Sequence, residues 1–147
     1  HGITPNDVAD AQRWEAVWEE ALPLLQHGTV VAHNASFDMG VIRATLASHG
    51  QPHPTFQYFC SVSMARRTWP GRPTYNLKAL CNAHGIPLKH HRAGNDAEAT
   101  AELVLRAAEG HETITGFLTG TQIKVGAFYP QGHRTPGGKV TPVAAWR

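Results

Sequence analysis

The sequence predicts an α/β fold, because short apolar runs with strand character alternate with longer helical patterns. Residues 29–33 form the first strand run and residues 56–60 the second, and a helix-start signal follows each of them. A length of 147 residues suits one domain with a substantial core. No run approaches the roughly 20 apolar residues that a membrane helix needs, so no membrane association is expected.

The first two helices have recognisable start signals. The Thr-Pro-Asn-Asp run at residues 4–7 predicts a helix start with Pro in the first turn. Apolar positions over residues 14–25 then follow one helix face. After the first strand, Ser36 is the predicted N-cap of a helix over residues 37–48.

Three further helices follow the second strand. Ser61 is the predicted cap of the first of them, and Asn76 the cap of a short helix that ends at Gly85. Asn95 is the predicted cap of a long helix over residues 96–109, rich in Ala and Leu. These helices alternate with too few strands to complete a sheet, since only two precede the tail.

The tail differs in composition from the rest of the chain. We therefore predict a main domain over residues 1–110 and a tail over residues 111–147. Residues 121–128 and 139–146 could pair as a hairpin through the Gly/Pro-rich turn at residues 136–138. A linker or the start of another domain is the alternative.

Net charge and cysteine content narrow the functional class of the protein only slightly. A net charge of +2 and a pI near 8.7 permit nucleic-acid binding without arguing for it. Cys60 and Cys81 show no pairing pattern, which favours free thiols in the reducing cytoplasm. Because the chain begins at His1 rather than Met, we expect a partial or processed chain.

Two aspartates near helix starts are the strongest chemical signal. Asp38 follows the first strand, where open α/β sheets place their sites, and Asp96 opens the long helix. Each could instead be an ordinary first-turn acid that favours the helix dipole. With His91 on the loop before Asp96, the pair could hold a divalent metal and activate water against a phosphodiester.

Spacing alone does not settle which histidine belongs to such a site. The pattern His-x4-Asp occurs twice, as His91 to Asp96 and as His33 to Asp38. His91 lies on a polar loop and could act as a general base, whereas His33 ends a strand and is expected to be structural.

Other residue clusters give weaker signals. Four residues with loose zinc-ligand spacing lack the second cysteine pair of a tetrahedral site: Cys81, His84, His90 and His91. Basic and aromatic side chains in the middle of the chain could line a groove for a single strand of nucleic acid, and an ordinary solvated surface is equally compatible with them. They are Arg66, Arg67, Trp69, Arg72, Tyr75, Lys78, Lys89 and Arg92.

Three blocks, taken in order, resemble the DnaQ-like 3′–5′ exonucleases, the family of the proofreading epsilon subunit of DNA polymerase III. They are His-Gly-Ile-Thr-Pro-Asn-Asp-Val at residues 1–8, Val-Ala-His-Asn-Ala-Ser-Phe-Asp at residues 31–38, and the run that begins His-His-Arg-Ala-Gly-Asn-Asp at residue 90. The Tyr-Asn-Leu-Lys-Ala-Leu run at residues 75–80 matches the short helix between them. The resemblance covers about residues 1–109.

The resemblance implies a ribonuclease-H-like fold, with a mixed central sheet flanked by helices. It implies Asp38 and Asp96 as ligands of two Mg²⁺ or Mn²⁺ ions and His91 as the base, as in the His variant of the family. Asn34 and Phe37 would support the site. The substrate would be a single-stranded DNA or RNA 3′ end, and a DNA polymerase subunit a possible partner.

One motif of the family is absent. The family carries an Asp-x-Glu on its opening strand, but none precedes Asp38 here; the Asp-x-Glu at residues 96–98 lies in the third block instead. We therefore expect the later portion of an exonuclease domain, weakly active or inactive alone, whose opening strands lie upstream. The alternatives are a non-catalytic module that binds nucleic acid or a polymerase, and an unrelated α/β protein in which both acids are helix caps.

Overall fold

The computed structural model describes residues 2–89, 92–130, 132–134 and 140–142, the last two ranges as backbone alone. The predictions that fall partly or wholly outside the described residues concern His90 and His91, the turn at residues 136–138 and the strand over residues 139–146. Within the described part, no helix is long and apolar enough to cross a bilayer.

The strands form one mixed sheet in the order β1-β2-β3-β4-β5. β1 (Thr29–Ala32) pairs in parallel with β2 (Phe56–Cys60), and β2 pairs antiparallel with β3 (Gly126–Tyr129). β4 (Gly132–Arg134) and β5 (Val140–Pro142) extend the sheet antiparallel. Both strands predicted ahead of the tail are present, and the α/β prediction with a mixed sheet and flanking helices is confirmed.

Six α-helices and one short 3-10 helix (Pro5–Val8) accompany the described strands. In chain order the α-helices are α1 (Trp14–Gln26), α2 (Ala35–Ser48), α3 (Ser61–Thr68), α4 (Leu77–His84), α5 (Ala93–Ala107) and α6 (Ile114–Gly120). Asn76 caps α4 as predicted, since its side chain accepts a hydrogen bond from the backbone N–H of Ala79 at 2.8 Å.

Four helix starts differ from the prediction. α3 starts at Ser61 itself, because Cys60 takes the cap position predicted for Ser61. The Thr4–Asp7 capping box is present, but the helix it opens is the four-residue 3-10 helix, and α1 starts only at Trp14. α2 starts at Ala35, ahead of the predicted cap Ser36, because Asn34 takes the cap position. α5 starts at Ala93, three residues before the predicted start.

The sheet separates two apolar clusters, as the alternation of side chains along each strand requires. On one face, Phe59 and Val31 contact residues of α3, α4, α5 and α6. On the other face, Tyr58 and Val30 contact residues of α1 and α2. The clusters hold the helices rigidly against the sheet, so the starts of α2, α3 and α5 meet near the carboxyl end of β1.

The tail is joined to both layers. From α6, Phe117 and Leu118 belong to the cluster that contains α5. From β3, Phe128 stacks on Phe56 with ring centroids 4.8 Å apart. The guanidinium of Arg43 in α2, 1% exposed, lies 4.1 Å from the Phe128 ring centre and donates a hydrogen bond of 2.9 Å to the Tyr129 carbonyl.

Candidate functional site

A cleft of about 820 Å³ opens at the carboxyl end of β1. The end of the strand, the first turns of α2 and α5, one face of α3 and the segment before α4 form its walls. Its lining residues are Val31, Ala32, His33, Asn34, Asp38, Val62, Arg66, Thr74, Tyr75, Asn76, Leu77, Ala93, Asp96, Ala97 and Thr100. The structure therefore brings both predicted aspartates to one cleft, at the sheet edge where open α/β proteins bind ligands.

Asp38 is the fourth residue of α2 and is partly buried. The helix follows β1 after a two-residue connection, in which Asn34 adopts a left-handed conformation with φ of 74°. Burial raises the pKa of Asp38, and a hydrogen bond from its own backbone N–H only partly opposes this. A carboxylate that loses hydration in this way gains from a nearby cation.

Asp96 is likewise the fourth residue of its helix, α5. Its backbone N–H donates to the Arg92 carbonyl at 3.0 Å, and its own carbonyl accepts from the Thr100 hydroxyl at 2.8 Å. Thr100 is 4% exposed and lines the cleft. These bonds fix the helix turn that carries the Asp96 carboxylate.

His33 occupies the floor of the cleft, and hydrogen bonds engage both of its ring nitrogens. Nε2 lies 3.0 Å from the Tyr75 carbonyl, which can only accept, so this nitrogen carries the proton. Nδ1 then accepts from the Ser61 hydroxyl at 2.9 Å. Burial lowers the pKa of His33, although the Tyr75 carbonyl and the charge of Asp96 oppose it. His33 thus ties β1 to α3 and to the segment before α4, as expected of a structural histidine.

The wall opposite α2 carries an aromatic ring in a fixed position. The Tyr75 hydroxyl donates to the Trp69 carbonyl at 3.0 Å and accepts from the backbone N–H of Arg72 at 3.3 Å. The guanidinium of Arg66 lies over the Tyr75 ring, 5.6 Å from its centre. Arg66 is exposed and is the one arginine or lysine among the lining residues.

The remaining predicted site residues are placed differently. Asn34 lines the cleft. Phe37 is 68% exposed and is not among the lining residues, so the structure does not bring it to the site. His91, the predicted base, lies outside the described residues.

Sequence reasoning missed some lining residues and gave others no assigned role. Thr100 had no signal beyond its position one helical turn after Asp96. Tyr75 and Arg66 were predicted only as members of a diffuse basic and aromatic set. The Tyr-Asn-Leu-Lys-Ala-Leu block that starts at Tyr75 did mark this segment, but a linear pattern does not show that it borders the cleft.

The carboxylates available to a metal ion are few. Within residues 2–89 and 92–130, no group of three or more His, Cys, Asp or Glu side chains is arranged to hold an ion. Asp38 and Asp96 are hard oxygen donors in one cleft, which suits a single Mg²⁺ or Mn²⁺ completed by water and substrate phosphate. Two ions would require more oxygen ligands than these residues supply.

Most of the chain is similar to one protein family and to parts of longer proteins. The family RNase T, described as Exonuclease, matches residues 1–104. DNA polymerase III PolC-type of Streptococcus pneumoniae is 34% identical over 104 residues, 70% of this chain and 7% of that protein. The 3′-5′ exonuclease DinG of Bacillus subtilis is 35% identical over 111 residues, 74% of this chain and 12% of that protein.

No solved structure matches the chain. The chain spans about a tenth of the length of these curated relatives, so they share one region with it. The family match, by contrast, covers more than two thirds of the chain, from its start to the last turn of α5. The chain therefore belongs to the RNase T family of exonucleases, the DnaQ-like group that its sequence blocks resemble.

Proposed function

We propose that the cleft is part of the active site of a metal-dependent 3′–5′ exonuclease that removes nucleotides from a single-stranded 3′ end. One observation supports this most strongly: in a member of an exonuclease family, Asp38 and Asp96 line the same cleft. Two acids acting only as helix caps need not line the same cleft. Among the relatives, a replicative DNA polymerase and a 3′-5′ exonuclease favour DNA as substrate, in proofreading or repair.

Each residue has a distinct role in this proposal. Asp38 and Asp96 would hold Mg²⁺ or Mn²⁺ with their carboxylate oxygens. The bound metal would lower the pKa of the attacking water and offset charge on the scissile phosphate. His91 would take the proton from that water, since a histidine near its unperturbed pKa accepts protons at neutral pH. His33 is unsuited to this task because both of its ring nitrogens are engaged.

We further propose that these 147 residues alone cleave weakly or not at all. Asp38 and Asp96 supply the carboxylates of one ion site, and no Asp-x-Glu precedes Asp38 to complete a second. A longer gene product that contains this chain, in the cytoplasm and alongside a DNA polymerase subunit, would be the active form.

The test is release of mononucleotides from a 3′-labelled single-stranded oligonucleotide, with and without Mn²⁺. It compares the 147-residue chain with the longest gene product that contains it. Asp96→Asn and His91→Ala in the longer protein should each lower the rate by at least about a hundredfold. Glu98→Gln is the matched control, because Glu98 is exposed on the same helix and does not line the cleft.

Two results would contradict the proposal in different ways. Robust metal-dependent cleavage by the 147-residue chain, lost in Asp96→Asn, would contradict the proposal that this chain alone cleaves weakly. It would still support the proposal that the protein is an exonuclease. If the Asp96→Asn variant of the longer protein cleaves as fast as the parent, the cleft is not part of the active site.

A non-catalytic module that binds nucleic acid or a polymerase is the second candidate. The small number of carboxylates at the described cleft is the observation that favours it. Binding of an oligonucleotide without metal-dependent cleavage, even in the longest gene product, would select this candidate.

A further inference from the structure

We propose that Arg66 is a substrate-positioning residue that binds a backbone phosphate of the single strand entering the cleft, with Tyr75 holding its guanidinium in place. This inference rests on the proposed function for the identity of the strand. It assigns a role to Arg66, which has no part in the proposed metal binding or proton transfer.

The position of Arg66 on α3 gives the first argument. α3 begins directly after β2, and Ser61 at its start is anchored to His33. Val62 and Arg66 are one helical turn apart, so they share the helix face that lines the cleft. Arg67 is the next residue along, and its Nη1 donates instead to the Thr121 carbonyl at 3.4 Å, beside α6. Two adjacent arginines thus serve different surfaces, and only one reaches the site.

Charge at the cleft gives the second argument. The ionisable carboxylates of the lining are Asp38 and Asp96, which repel a polyanionic strand. Arg66 is the one permanently charged cation of the lining, and it forms no ion pair within the part of the chain that the structure describes. Its guanidinium is therefore available to a ligand, and the planar donors of arginine match two oxygens of one phosphate.

The support beneath Arg66 gives the third argument. Tyr75 is fixed through its hydroxyl, which bonds the Trp69 carbonyl and the Arg72 N–H. Behind it, Arg72 Nη2 donates to His84 Nε2 at 3.1 Å, and the Trp69 and His84 rings lie 3.9 Å apart. A guanidinium resting on such an immobile ring loses less conformational freedom when it binds an anion.

The experiment separates this inference from cleavage. The background is the Asp38→Asn/Asp96→Asn chain in EDTA, which can neither hold metal through these groups nor hydrolyse the probe. Fluorescence anisotropy then measures binding of 5′-fluorescein-labelled oligothymidylate and oligouridylate, each about 12 nucleotides long, over a range of KCl concentrations. Thermal unfolding of each variant confirms that it is folded.

Arg66→Gln should weaken binding of both probes about tenfold, the loss expected for one charge-assisted phosphate contact. The slope of log affinity against log salt should fall by about 0.7, the value for one phosphate of a single strand. Arg66→Lys should restore the salt slope but only part of the affinity, because lysine keeps the charge and loses the paired donors. The matched control Arg67→Gln makes the same charge change and should bind within about twofold of the background.

Equal weakening by Arg66→Gln and Arg67→Gln would overturn the inference, because it would reveal only nonspecific attraction. Failure of the background chain to bind either probe would also overturn it. Neither result bears on metal-dependent cleavage, and a failed cleavage assay leaves the binding result intact.

Discussion

The two helices that carry the aspartates reach the cleft by different means. α2 leaves the sheet through a two-residue connection with Asn34 in a left-handed conformation, and the buried guanidinium of Arg43 bonds the tail. Among the described residues α5 follows α4 rather than a strand, and it packs into an apolar cluster of the core. Both nevertheless place an aspartate at their fourth position.

The two aspartates of one cleft are thus positioned by different means. Backbone geometry determines the position of one, and side-chain packing determines the position of the other. The position of Asp38 follows from β1 and the turn at Asn34. The position of Asp96 follows from how deeply side chains such as Leu103 are buried against α3 and α4. The two sides should therefore respond to different substitutions.

The largest expected effect tests the packing of α5. Leu103 is fully buried, so Leu103→Ala should lower the free energy of unfolding by about 2–5 kcal/mol. Leu105→Ala is the control, because Leu105 is 59% exposed on the same helix and should change stability by less than about 0.5 kcal/mol. Urea denaturation measures both. A loss below about 1 kcal/mol for Leu103→Ala would show that α5 is held by something other than apolar packing.

The second-largest expected effect is a loss of folding stability at alkaline pH, caused by a tyrosine on the face of the sheet that packs against α2. Burial, above all, raises the pKa of Tyr58 from 10.0 to about 12, and the neighbouring charge of Cys60 adds to this. Between these values the unfolded chain releases a proton that the folded chain keeps, so stability falls as pH rises. The loss should reach about 2 kcal/mol near pH 12. Tyr58→Phe should flatten this slope in urea titrations from pH 9 to 12, and an unchanged slope would contradict the assignment.

A smaller effect tests the turn before α2. Asn34→Ala places a less tolerant residue at φ of 74° and should cost about 1–2 kcal/mol. Asn34→Gly keeps the turn without this cost and should be close to neutral. If thermal unfolding shows equal losses of stability for the two variants, the contribution of Asn34 comes from its side chain and not from its backbone conformation.

The smallest expected effect is the change in melting temperature when Asp38 is replaced in the absence of metal. Because burial raises its pKa, the folded chain binds this proton more tightly than the unfolded chain does. Ionisation therefore costs folding free energy at neutral pH, and the cost disappears as pH falls below the unfolded value. Asp38→Asn should raise the melting temperature in EDTA at pH 7, and the gain should vanish on acidification.

Asp7→Asn gives a control of opposite sign for that measurement. Hydrogen bonds from the Thr4 backbone N–H and hydroxyl lower the pKa of Asp7, so its ionised form favours the fold. Removing that charge should lower the melting temperature at pH 7. Changes of the same sign at Asp7 and Asp38 would refute the burial argument.

The sequence was most informative where local physics decides the structure. β1, β2 and the Asn76 cap followed from residue type and spacing, and the two aspartates were found near the helix starts. The start of α2 was missed by two residues because Asn34 and Ser36 are equally good caps by type. Asn tolerates a left-handed backbone better than most residues do, but residue type alone does not show that Asn34 adopts one.

The cleft itself was less predictable than its acids. Its far wall depends on Tyr75 turning its hydroxyl toward Trp69 and on His33 reaching the Tyr75 carbonyl across 42 positions of sequence. Neither contact has a periodic signature. The domain division at residue 110 stays a prediction, although β3 pairs with β2 across it.

The hydrogen bond between Arg43 and the Tyr129 carbonyl has a practical consequence. A shortened protein ending near residue 104, where the family match stops, would lose the Tyr129 carbonyl that accepts from that guanidinium and the aromatic partner of Phe56. Excision guided by homology alone would thus remove the brace of the helix that bears Asp38. The C-terminal stretch belongs in any version made for crystallisation or assay.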